Sequence, residues 1–107
     1  MTNIIQMMQK AKKFKQEMQD LQERVQKMEV TGQAGNGLVT CVLTGRHEMK
    51  ALKIDPSVIK ADEADMLEDL VMAAVNDARA KAEKEMNEQT QKLVSDMGLP
   101  PNMDLPF

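Results

Sequence analysis

Few residues in this sequence could carry bond-making chemistry. There is one cysteine, Cys41, and one histidine, His47. A lone cysteine excludes an intrachain disulfide and a CxxC redox or zinc cluster, and a lone histidine removes multi-histidine metal sites. Cys41 lies mid-run among Val and Leu, with no base or cation nearby in sequence to lower its pKa, so it reads as a buried structural thiol. His47, between Arg46 and Glu48, reads as an exposed turn residue, with a phosphate contact as the minority alternative. Asp62, Glu63, Asp65, Glu68 and Asp69 cluster where a helix begins. Capping and the helix dipole account for such acids without a metal. Gly32, Gly35 and Gly37 fit neither GxxxxGK[ST] nor GxGxxG, so they do not cradle phosphate. No catalytic constellation emerges, and no metal or cofactor is expected. The chain does not read as an enzyme.

Charge is distributed more tellingly than it sums. The net charge of the 107 residues is −3. Residues 1–16 hold Lys10, Lys12, Lys13 and Lys15 and no acid, a balance of +4. Residues 17–29 balance at −2, residues 30–61 at +2 and residues 62–107 at −7. A basic arm is thus attached to an acidic C-terminal half. On charge alone, a solvated lysine-rich helix face explains the arm as well as a polyanion partner does. No stretch approaches the roughly 18–20 apolar residues that span a bilayer. Ile4, Ile5, Met7 and Met8 precede the lysines, the reverse of a signal peptide, so a reducing cytoplasm is expected.

These residues must be positioned by a small set of elements in a single domain over 1–98. Ile4, Met7, Ala11, Phe14, Met18, Leu21, Val25 and Met28 alternate three and four apart, the seam of one long amphipathic helix. Such a helix is roughly 40 Å long. A globule of this size has a radius of gyration of about 13 Å, so one end must stand clear of its own domain or be covered by another subunit. Residues 31–59 change to strand-like runs separated by Gly-Asn-Gly and Gly45-Arg46-His47 turns. They read as a three-stranded antiparallel meander. Val39, Cys41 and Leu43 should face one side, and Leu38, Thr40, Val42 and Thr44 the other. Sheet edges or that second face are candidate dimer surfaces. Asp55-Pro56 should cap a short turn, and Asp62 should be the N-cap of a second long helix. In that helix Leu67, Val71, Ala74, Ala78 and Ala82 form a small-residue seam. Beyond Ala82 it reads as polar and solvated, with Asp77–Lys81 and Glu88–Lys92 pairs. Gly98 stops it, and the Pro-containing tail 99–107 is expected to dock on the fold. The class is α+β in two layers, with helices protruding. With two aromatic residues against eleven methionines, the core relies on flexible, gap-filling side chains.

Several strings carry a resemblance: Met28-Glu29-Val30-Thr31-Gly32, Gly35-Asn36-Gly37-Leu38-Val39, Lys53-Ile54-Asp55-Pro56-Ser57, Met66-Leu67-Glu68-Asp69-Leu70, Ala74-Val75-Asn76-Asp77-Ala78 and Met97-Gly98-Leu99-Pro100. In this order and spacing they resemble the YbaB/EbfC family of bacterial nucleoid-associated proteins over essentially the whole chain. Many members begin with an extra Gly/Met-rich segment, whereas here only residues 1–6 precede the helix.

The resemblance implies an α-β-β-β-α fold and a homodimer with protruding helices. It also implies double-stranded DNA binding in the nucleoid, with effects on DNA conformation and gene expression. The family fixes no catalytic motif, so DNA-contacting positions follow from charge. Lys10, Lys12, Lys13 and Lys15 are the main candidates for phosphate contact. Arg79, Lys81 and Lys84 are weaker ones, diluted by Glu83 and Glu85. Base readout should be poor, since few side chains suit base edges. The alternative is a structural adaptor that binds a protein partner through its heptad and Met-rich helices, with DNA association indirect. A membrane-surface reading of residues 3–16 is the weakest, lacking Trp, and no small-molecule substrate is expected.

Overall fold

The structure, a computed structural model, describes residues 2–96 and Gly98. The chain runs through α1 (Thr2–Lys27), β1 (Glu29–Ala34), β2 (Val39–Thr44), β3 (Met49–Ile54), two short 3-10 turns (Pro56–Val58 and Ala61–Glu63) and α2 (Ala64–Asp96). The strands form one antiparallel sheet in the order β1-β2-β3, with Gly32 opposite Cys41 and Cys41 opposite Leu52. The β1–β2 connection depends on positive φ at three successive residues, Gly35 (62°), Asn36 (56°) and Gly37 (90°), the left-handed region that Gly and Asn tolerate best.

One core lies between α2 and the sheet. Val39, Cys41 and Leu43 of β2 are buried against Ala74 and Ala78 of α2, with Val58 closing the side. The small-residue seam has a counterpart on β1. A Cβ on Gly32 would run into the backbone of Ala74 and Ala78, lying 2.7 Å from Ala78 Cα. Helix and strand therefore touch backbone to backbone. Burial pushes the Cys41 thiol above its ordinary value of 9.0, so the thiolate is disfavoured and the residue behaves as a small apolar group.

A second core joins the two helices. Met18, Leu21 and Val25 of α1 enclose Leu93 of α2, with Phe14, Met28 and Met86 packed around them. The C-terminal end of α1 is fixed at the sheet, where Gly45 donates its amide to the Met28 carbonyl and abuts Val25. The helices run antiparallel, since α2 meets the sheet at Ala74–Ala78 and α1 only at Leu93. The molecule is accordingly a rod of 74 × 22 × 18 Å with a radius of gyration of 19.7 Å, against about 13 Å for a globule of this length.

Four expectations need correction. Asp62 does not cap α2. It lies within the Ala61–Glu63 turn, whose N-cap is Lys60 and has no side-chain cap bond. The second half of α2 is not solvated all round, because Leu93 and Val94 are buried; the isolated apolar pair was masked by its polar neighbours. Glu88 and Lys92 form no ion pair, while Lys81 and Asp77 do, at 3.0 Å. Leu38 precedes β2 and packs on the main core instead of the opposite face. Thr44 is buried on that face because its hydroxyl accepts from the amides of Arg46 and Glu48, both at 3.2 Å. The Asp55 cap is present, with Ser57 N–H donating to its carboxylate at 2.9 Å. The expected docking of the tail 99–107 falls outside the described residues.

Candidate nucleic-acid interface

The heptad seam of α1 divides into a covered half and a bare half. From Phe14 onward it packs on α2; before Phe14 every described side chain is exposed. Ile4 is 60% exposed and Met7 68%, although both continue the seam that buries Leu21 to 2%. The chain runs out of its own surface to cover them, because α2 ends alongside Phe14 to Met18. About 11 residues, or some 16 Å of helix, project alone.

Lys10, Lys12 and Lys13 lie on this projection and Lys15 at its base. None takes part in an ion pair among the described residues. At 3.6 residues per turn, Lys12 and Lys15 share a flank with Ile5 and Met8, Lys10 lies on the other flank and Lys13 on the back. The first four share a shallow groove whose floor includes Ala11. The first turn of α1 contains no acid, so the positive end of the helix dipole adds to the lysine charge. A polyanion lying along the projection meets cations on several sides.

The second group is placed differently. Lys81 is tied down, its ammonium on Asp77 at 3.0 Å and on the Thr31 carbonyl at 3.2 Å. Arg79 pairs with Glu83 at 3.6 Å, an exposed contact of small energetic weight. Lys84 lines a cleft with Lys81, Glu85 and Glu88 beside β1. These residues sit roughly 15 Å or more along the rod from the arm. The structure therefore does not unite the two candidate groups, and Lys81 acts as a fold residue.

Sequence reasoning missed the tie between Asp77 and β1. Its carboxylate accepts from the Gln33 amide at 3.0 Å, and this bond, then Lys81, holds it below its ordinary 3.8. The i,i+4 spacing of Asp77 and Lys81 was visible, but the third member is 44 residues away. Also unassigned were Lys50 and Lys53, which β3 exposes. Among the described residues no group of three or more His, Cys, Asp or Glu side chains is gathered to hold a metal ion. No described helix is long and apolar enough to cross a membrane.

The model of the YbaB/EbfC DNA-binding family matches residues 1–97. The chain belongs to that family. A nucleoid-associated protein of Mesorhizobium japonicum is 49% identical over 107 residues, all of both chains. One of Agrobacterium fabrum is 45% identical over the same span. Among solved structures, an uncharacterized protein of Helicobacter pylori superposes with a TM-score of 0.61, covering 75% of this chain and 93% of its own, at 24% identity. That likeness concerns the fold. The YbaB/EbfC family is one of nucleoid-associated DNA-binding proteins and not of enzymes. For this member the basic arm of α1 is the surface where a DNA-binding role can be sought.

Proposed function

We propose that the chain acts in the bacterial nucleoid as a homodimer that binds double-stranded DNA mainly through its phosphates, altering DNA conformation and so influencing nucleoid organisation and gene expression. The observation that carries the reading is the unaccompanied, acid-free arm with Lys10, Lys12, Lys13 and Lys15 exposed on it. Phosphate neutralisation by such lysines releases counterions and is indifferent to sequence. The acidic remainder repels DNA and confines contact to the arm. Arg79 and Lys84 contribute less, because acids stand beside them.

Support for the dimer comes from β3. Leu52 pairs with Cys41 and Met49 with Leu43, so they stand on the face that α2 covers over the other strands. There Cys41 is wholly buried, yet Leu52 is 43% exposed and Met49 44%. An apolar row thus runs from the core onto bare surface, as it does where a second subunit completes a sheet face. Lys50 and Lys53 discourage edge-to-edge strand addition, which favours a face-to-face contact. Two subunits so joined hold two arms apart to grip a duplex.

A salt titration of binding to several unrelated duplexes tests this reading. Similar affinities for all, with a steep log–log slope that falls by about 0.9 for each arm lysine replaced by alanine, are expected. Unchanged binding by a folded K10A/K12A/K13A/K15A protein rejects the arm. Absence of any direct binding favours the adaptor alternative.

A further inference from the structure

We propose that the C-terminal segment 99–107 docks in cis on the bare flank of α1, in the groove formed by Ile5, Met8, Ala11, Lys12 and Lys15, and so shields part of the arm from DNA. The consequence for DNA rests on the reading above; the docking itself does not.

Four observations meet here. The groove is apolar but uncovered, with Ile5 62% and Met8 67% exposed. The described chain ends at its mouth: Leu93 packs on Met18, and Asp96 lines one cleft with Glu17. Because α2 runs antiparallel to α1, the chain leaves it heading along α1 toward Ile5. That distance is about 15 Å of helix, and nine residues can reach up to about 30 Å.

Composition matches in kind. The segment contains Leu99, Met103, Leu105 and Phe107, and three prolines reduce the entropy lost on ordering. Its one charge, Asp104, is opposite to those of Lys12 and Lys15 at the groove's rim. Docking covers apolar surface that α2 is too short to reach. It also occupies two of the four arm lysines, so tail and duplex compete for the same flank.

A double-cysteine experiment on the whole chain decides the matter. M8C/L105C, mildly oxidised without denaturant, should cross-link to a product of protomer mass, while M8C and L105C alone do not. Cys41 is wholly buried and stays out of reach. A product of dimer mass would overturn docking in cis by assigning the groove to another subunit's segment, and no cross-link would overturn docking altogether. Because both positions lie outside the two described cores, the variant retains its fold. A second measurement needs no cysteine. In L105S/F107S the amides of residues 5–12 should exchange several-fold faster than in the parent, and equal rates would overturn the proposal. If docking is present, the same variant should bind duplex DNA several-fold more tightly. Cross-linking without any DNA binding would sink the proposed function and leave the docking intact.

Discussion

Asp77 on α2 accepts a hydrogen bond from the Gln33 backbone amide on β1 at 3.0 Å, while Lys81 reaches the Thr31 carbonyl two residues earlier. One helix turn thereby occupies an outward-facing donor and an outward-facing acceptor of an edge strand. Such groups otherwise invite strand addition by another chain. The sheet has one edge latched by α2 and the other edge, β3, left to lysines.

The latch has a pH dependence of defined sign. The Asp77 carboxylate is held below its ordinary value of 3.8 by the Gln33 amide and Lys81. Its contribution is therefore fully present above pH 3.8 and is lost as pH falls through the lower folded value. Asp77→Asn should remove that part of the acid sensitivity and speed exchange of the Gln33 amide at neutral pH. Hydrogen exchange followed by NMR, with urea unfolding between pH 2 and 6, checks both. An unaltered Gln33 rate would contradict the latch.

Much of this architecture was legible from periodicity. The unbroken three–four spacing from Ile4 to Met28 marked α1, and Gly-Asn-Gly marked the β1–β2 turn because few residues accept those φ values. The bare end of α1 followed from length alone. What stayed hidden depends on contacts between distant residues. Leu93 and Val94 gave no periodic signal until α1 supplied their partner, and a capping role for Asp62 yielded to a 3-10 turn that local sequence does not distinguish. For the site, the four arm lysines were visible as an acid-free run. The structural duty of Lys81 was not, since only the fold brings Thr31 to it.

Gly32 should be the least replaceable glycine. An alanine Cβ there would collide with the backbone of Ala74 and Ala78, and neither strand nor helix can withdraw without opening the main core. Overpacking of this kind costs about 3 kcal/mol. Gly37 has open space but a φ of 90°, so Gly37→Ala should cost only about 1–2 kcal/mol, from backbone strain. Urea unfolding of the two variants should preserve this order, and a reversed order would contradict the close approach of α2 to β1.

Leu52 offers the sharpest test of assembly. Leu52→Glu places a charge on the bare β3 face while leaving the protomer's own core untouched, since that side chain is already 43% exposed. If the face is the dimer contact, its burial as a charge should weaken association by about 30-fold or more. Sedimentation at micromolar concentration should then show the parent as a dimer and the variant as a protomer with unchanged circular dichroism. A variant that still dimerises would move the interface elsewhere.

The two halves of the α1 seam should respond oppositely to truncation. Leu21 is 2% exposed, between Val25 and Leu93, and Leu21→Ala leaves a cavity that the two helices cannot close without shifting at the Gly45 anchor. A loss of about 3 kcal/mol is expected. Met7 occupies the same heptad register but is 68% exposed, so Met7→Ala removes no packing and gains slightly in helix propensity. Its effect should stay within about 0.5 kcal/mol. Thermal and urea unfolding of both variants measure the contrast. Equal destabilisation would mean that the bare half of the seam is covered after all, by a surface lying across Met7 and not confined to the neighbouring Ile5–Met8 flank.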